Sequence, residues 1–155
     1  MARIDLAITH GSDGVYDITF NADGDFETTE GLDTGILLSL LEERRANESE
    51  VSTPQKRRGW VGSDLGDIAV YELGSKLWLL DQERLTPDTL NRAVDYARQS
   101  LQWMLDDGIA TSINVTGEIE YPEGIKLFIV LERESNKVES FYFNLWDKTI
   151  FRGTA

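Results

Sequence analysis

The sequence predicts an α+β fold, with about three helices packed on a mainly antiparallel sheet that closes in a C-terminal three-stranded meander. Three observations carry this prediction. Apolar residues recur at helical spacing between Leu32 and Leu105, they alternate with a period of two from Ile113 to Trp146, and turn-forming residues separate these segments. No internal repeat or linker divides the chain, so its 155 residues read as one domain over 1–155, with 1–31 as a peripheral acidic β-hairpin segment.

The hairpin segment comes first. Ile4, Leu6 and Ile8 share one strand face, and Tyr16, Ile18 and Phe20 repeat the period after the turn at His10 to Gly14. Asn21 to Asp25 turns the chain again. From Leu32 the period changes: Leu32, Ile36, Leu37, Leu40 and Leu41 form one helical stripe that Asp33 or Thr34 caps and that ends near Arg45. Ala46 to Ser63 has little periodicity and reads as a long ordered loop, a kind of segment that usually has a functional reason.

A second helical stretch runs from Asp64 to about Leu80, weakened by Gly66 and Gly74 and with a break near Gly74-Ser75. The third is better marked. Thr86 caps it, Pro87 takes its first position, Leu90, Ala93, Val94, Ala97, Leu101, Met104 and Leu105 form its stripe, and Gly108 follows its last turn. Strands follow: Ile113, Val115 and Ile119 alternate, Tyr121 to Gly124 fits a type II turn, and Ile125, Leu127, Ile129 and Leu131 alternate again. After a turn at Glu134 to Lys137, the last strand places Val138, Ser140, Tyr142, Asn144 and Trp146 on one face and Phe141, Phe143 and Leu145 on the other. A terminal strand apolar on both faces is hazardous as a bare edge, so a partner strand is expected to cover it.

Composition narrows the function. With 28 acidic residues against 15 basic ones the formal charge is −13, a field that repels phosphates and anionic lipid and argues against nucleic-acid partners. The absence of cysteine removes disulfides, thiolate metal sites and cysteine nucleophiles. Apolar runs stay far below the roughly 18 residues that a membrane span needs. Thr9 and His10 interrupt the N-terminus before a signal-peptide core forms, which places the expected site of synthesis and residence in the cytoplasm.

Candidate chemistry is sparse. Asn21-Ala22-Asp23-Gly24-Asp25 suggests calcium, but an EF-hand loop needs Gly at its sixth position, where Phe26 stands, and Glu at its twelfth, where Leu32 stands. His10 is the single histidine, which leaves no histidine-rich zinc site and no well-formed Ser-His-Asp triad. Glu118 and Glu120 share a strand face and are the carboxyl pair best placed to converge, although acidic strand faces are usually just solvated. No catalytic, cofactor-binding or metal-binding residue is assigned.

The clearest anomaly is basic. Arg44, Arg45, Lys56, Arg57 and Arg58 place five of the 15 positive residues within one short stretch of a strongly acidic chain. Arg57-Arg58-Gly59-Trp60-Val61-Gly62 sets two guanidiniums beside a Trp and two glycines, a composition suited to carboxylate pairing and to close approach of another backbone. Two readings stand side by side. Either the arginines tie the loop to acids of the same chain such as Glu42 or Asp64 while Trp60 fills the core, or the loop presents itself to a partner, since Arg and Trp dominate interface hot spots.

Four segments in order, Leu37 to Ala46, Arg57 to Gly62, Gly74 to Leu80 and Ala97 to Ala110, resemble the small baseplate protein family of Mu-like contractile-tailed phages and prophages, over roughly Leu32 to Trp146. That family usually has an aspartate before its paired arginines and a second Trp and an Asp in the Arg-Arg-Gly-Trp segment, where this chain has Glu43, Val61 and Ser63.

The resemblance implies a non-enzymatic virion subunit, six copies around the tail tube, that joins other wedge subunits and tube or hub proteins and hands the tail sheath protein its first strand-exchange contact. It implies assembly in the host cytoplasm and residence in the tail baseplate. The residues expected at partner contacts are Arg44, Arg45, Arg57, Arg58, Gly59, Trp60, Tyr142 and Trp146. The alternative implied by the same family is a lysozyme-like glycoside hydrolase acting on peptidoglycan, which requires two facing carboxyls in a cleft.

Overall fold

A computed structural model of the chain describes residues 5–29, 32–53, 56–59, 73–134 and 136–153. The chain gathers into two compact units, Met1–Leu38 and Ser39–Ala155. The class is α+β with antiparallel sheets, as the periodicities predict.

In the first unit, the expected strand around Leu6 is two shorter ones with different partners. Strand β1 (Asp5–Leu6) pairs with β4 (Thr28–Thr29), and β2 (Ile8–His10) pairs with β3 (Tyr16–Ile18). Between them, the Ala7 N–H donates to the Glu27 carbonyl at 2.8 Å, which moves the ladder from one partner to the next. Phe20 and Phe26 close the second hairpin as a bridge with stacked rings 5.1 Å apart, while Asn21 Oδ1 accepts from the Asp23 and Asp25 N–H groups, both at 3.0 Å. The Asn21 to Asp25 segment is therefore an exposed turn closed by its own asparagine.

Helix α1 (Asp33–Leu41) buries Ile36, Leu37 and Leu40 of the expected stripe, with Leu32 buried just before it and Leu41 only half-buried, and it stops at Leu41 and not near Arg45. Its exit is captured: Glu42 and Arg44 turn their backbone to Ser75 instead of continuing the helix. The long helix α2 (Pro87–Asp106) is the one its caps announce. Thr86 Oγ1 accepts the Thr89 N–H at 3.2 Å, Pro87 needs no donor in the first turn, and Gly108 leaves the helix at φ 66°. Ala93, Ala97, Ser100, Leu101 and Met104 form its buried face.

Two α-helices, not three, occur among the described residues. Of the expected helix from Asp64 to Leu80, residues 64–72 lie outside those described, and Leu77–Leu80 forms a 3₁₀ turn. A four-residue apolar run satisfies a helical stripe equally well in either geometry, and the Gly74 φ of 95° interrupts α-helical continuation just before it.

The meander has four strands, not three: β5 (Ser112–Glu120), β6 (Gly124–Glu132), β7 (Val138–Asn144) and β8 (Thr149–Arg152), in that spatial order. Strand β7 is therefore interior, flanked on both sides, and its two apolar faces no longer mark an edge. Asn144 Oδ1 turns the chain by accepting the Trp146 and Asp147 N–H groups at 2.9 and 3.2 Å, and β8 returns along β7. The Tyr121 to Gly124 turn is not type II either, since the positive φ falls on Gly124 at 115° and not on Glu123, its third residue.

Register aligns Val115, Ile129 and Phe141 on the inner face, with Gly117, Leu127 and Phe143 beside them, and α2 packs on this face. Gly117 is where helix and sheet close most tightly, for a Cβ there would lie 2.9 Å from both Leu90 and Leu127. An acid also lies on this face. Glu139 is 4% exposed and is neutralised by Arg133 at 3.2 Å and Lys137 at 3.1 Å.

Candidate functional site

The basic cluster forms a knot inside the unit Ser39–Ala155. Its frame is a parallel bridge between Glu43 and Ser75: the Ser75 N–H donates to the Glu42 carbonyl and the Arg44 N–H to the Ser75 carbonyl, both at 2.9 Å. Ser75 Oγ donates to the Leu40 carbonyl at 2.7 Å and so satisfies one of the acceptors a helix C-terminus leaves open. Glycine is required beside it. A Cβ on Gly74 would sit 2.3 Å from the Glu42 oxygen, at a φ of 95° that side chains rarely adopt.

The arginine loop docks on this frame. Arg57 and Ala46 exchange bonds, the Ala46 N–H donating to the Arg57 carbonyl at 3.0 Å and Arg57 Nε to the Ala46 carbonyl at 2.6 Å, while Arg57 Nη1 lies 3.5 Å from Glu48. Arg58 Nη1 donates to Glu43 Oε1 at 2.7 Å, and its guanidinium stands 4.9 Å from the centre of the Trp78 ring. Trp78 Nε1 in turn donates to the Arg44 carbonyl at 2.9 Å. Gly59 lies against Arg45, whose backbone a Cβ would meet at 2.8 Å.

A third ion pair joins the 3₁₀ segments, with Lys76 Nζ 2.8 Å from Glu50 Oε2. Burial alone would raise the Glu50 carboxyl, but hydrogen bonds from Lys76 and the Asn47 N–H, with the Lys76 charge, outweigh it and hold the group below its ordinary value.

Thus five of the expected contact residues, Arg44, Arg45, Arg57, Arg58 and Gly59, come together, and Trp60 lies outside the described residues. The acids that meet the paired arginines are Glu43 and Glu48 and not Glu42, while Asp64 lies outside those described. Tyr142 and Trp146 stand elsewhere. Tyr142 is on β7, edge-on to Phe128 at 5.1 Å, and Trp146 is in the turn after β7, its ring 2.8 Å from where a Gly124 Cβ would be.

The contributions of Ser75, Lys76, Trp78 and Glu50 escape a reading of the loop alone, although the break at Gly74-Ser75 signals that something stops a helix there. Beside the knot, Arg44, Leu73, Arg98, Trp103, Asp106 and Asp107 are among the residues that line a cavity of about 760 Å³. Trp103 Nε1 donates to Ser39 Oγ at 2.9 Å on the same side.

The carboxyl pair Glu118 and Glu120 shares the outer face of β5, where Glu120 lies 2.6 Å from Lys126. His10 is exposed and edge-on to Tyr16 at 4.8 Å. Among the described residues no group of three or more His, Cys, Asp or Glu is placed to hold a metal ion, and no helix is long and apolar enough to cross a membrane.

The model of one protein family, Phage protein GP46, matches residues 32–138. The chain belongs to this family. Baseplate protein gp46 of Escherichia phage Mu is 37% identical over 131 residues, covering 83% of this chain and 86% of that protein. The Mu-like prophage FluMu protein gp46 of Haemophilus influenzae is 34% identical over 112 residues, 72% of this chain and 73% of its own length. The GP46 match takes in the whole knot, from Glu42 through Trp78, and stops at Val138, where β7 begins. Tyr142, Trp146 and β8 lie beyond it.

Proposed function

We propose that this GP46 chain is a structural subunit of a phage tail baseplate, joining wedge components around the tail tube and initiating the contractile sheath by strand pairing. The observation that carries the reading is the 37% identity, over 83% of the chain, to a protein named as a baseplate protein of phage Mu. The reading is non-catalytic. Its partners are other wedge subunits, the sheath protein and tube or hub proteins, with six copies around the tube, assembled in the host cytoplasm and then resident in the virion tail.

Strand pairing needs an edge. With β7 interior, the outer strands among the described residues are β5 and β8, and β5, at nine residues against four, offers the longer one-sided ladder for an incoming sheath strand. In this reading the knot holds Arg44, Arg45, Arg57, Arg58 and Gly59 rigid so that a wedge neighbour meets a preformed surface. The test is cryo-electron microscopy of tails from the encoding phage or prophage. The expected density has this chain in the baseplate with a sheath strand beside β5. A baseplate without the chain sinks the whole reading, and a chain whose β5 edge is bare sinks strand pairing alone.

A further inference from the structure

The four-stranded sheet has a second face, turned away from the one on which α2 packs, and its residues follow from register. Phe128, Tyr142 and Phe151 are direct cross-strand neighbours, one aromatic row across β6, β7 and β8. Val130 and Val138 continue the apolar surface on one side of that row. Phe151 is 64% exposed, Val138 49% and Tyr142 38%. Contiguous apolar area of this kind on a folded domain marks a surface that another molecule covers.

Charge decides between occupants. On the outward positions of β5 and β6, the three carboxylates Glu118, Glu120 and Glu132 face one ammonium, Lys126, which is already paired with Glu120. A second copy would bring the same acidic rim against this one, within a molecule whose formal charge is −13. Like charges juxtaposed across an interface select against that pairing, whereas a rim of Lys and Arg around an apolar centre complements it.

Resting on the baseplate reading above, we infer that the outward face built on Phe128, Tyr142 and Phe151 docks a different tail protein through an apolar patch with a basic rim. The face is distinct from the β5 edge and from the arginine knot, so the subunit holds separate surfaces for separate neighbours. Its position near the sheet centre makes Tyr142 the hot-spot residue, with Phe151 as the most accessible contact.

Site-specific photo-cross-linking tests this in intact tails. The full chain carrying Phe151→p-benzoylphenylalanine, or the same replacement at Val138, is incorporated into particles, irradiated, and the adducts identified by mass spectrometry. The expected result is a cross-link to a different tail protein, on a peptide containing Lys or Arg, with Glu118→Lys plus Glu132→Lys lowering its yield about tenfold. Adducts to a second copy, adducts indifferent to the charge reversal, or no adduct from a chain present in the particles each overturn the inference. Absence of the chain from the particles overturns the baseplate reading as well, and so separates the two failures.

Discussion

The guanidinium of Arg58 lies 4.9 Å from the centre of the Trp78 ring, and the same indole donates its N–H to the Arg44 carbonyl at 2.9 Å. One side chain thus joins the segment leaving α1, the arginine loop and the 3₁₀ turn. Trp78→Phe keeps a ring beneath Arg58 but deletes the donor. The expected loss is about 1 kcal/mol, the ordinary net worth of one hydrogen bond, read as a lower urea midpoint with an unchanged m-value.

Gly74→Ala should be more damaging although it adds one methyl group. The φ of 95° is strained for any side chain, and the new carbon would lie 2.3 Å from the Glu42 carbonyl oxygen, a backbone atom held in the Ser75 bridge. A destabilisation of about 2 kcal/mol or more is expected from the backbone conformation and clash together, measured by thermal unfolding. Gly14→Ala is the control, because its φ is also positive at 80° but a Cβ there meets nothing within 4 Å.

Local signals explain what the sequence revealed. Helix α2 was legible because Thr86, Pro87 and Gly108 each act within one turn of the backbone they shape, and the alternation of β6 because every odd residue faces one core. The knot was not legible in the same way. Ser75 meets Glu42 across 33 positions and Trp78 meets Arg44 across 34, and no periodicity encodes such pairings. They end α1 early and make Leu77–Leu80 a 3₁₀ turn. Strand β8 escaped because Thr149–Arg152 is too short for alternation to register, while the asparagine turn at Asn144 was the one local sign that the chain reverses.

Glu50 gives the knot a pH dependence. Its carboxyl is held below its ordinary value of 4.5, so the Lys76 pair contributes stability that is fully present above that value and lost as pH falls through the depressed one. Stability measured from about pH 6 to pH 3 should therefore fall less steeply in Glu50→Gln than in the parent chain. A variant with the same acid slope would show that other carboxyls control that limb.

Glu139 tests a buried charge away from the knot. It is 4% exposed on the core face of β7, with Arg133 and Lys137 as its partners. Glu139→Ala leaves Arg133, a largely covered guanidinium, without its acid and should cost about 3 kcal/mol in chemical denaturation. Glu139→Ala combined with Arg133→Met should recover part of that loss, because removing both partners of a buried pair costs less than removing one.

Arg57 and Arg58, adjacent in sequence, should separate folding from display. Arg57 spends its guanidinium on the Ala46 carbonyl at 2.6 Å and is 26% exposed, whereas Arg58 is 53% exposed in a pair with Glu43, itself 42% exposed. Arg57→Ala removes a charge-assisted bond to a backbone acceptor and should destabilise by about 2 kcal/mol. Arg58→Ala loses a solvent-screened pair and a half-exposed cation–π contact with Trp78, and should cost about 1 kcal/mol. A folded Arg58→Ala chain that fails to enter tails would locate the contact with a wedge neighbour at that guanidinium. If it enters normally, with Arg57→Ala failing only in proportion to its lost stability, the arginines serve the knot and the neighbour binds elsewhere.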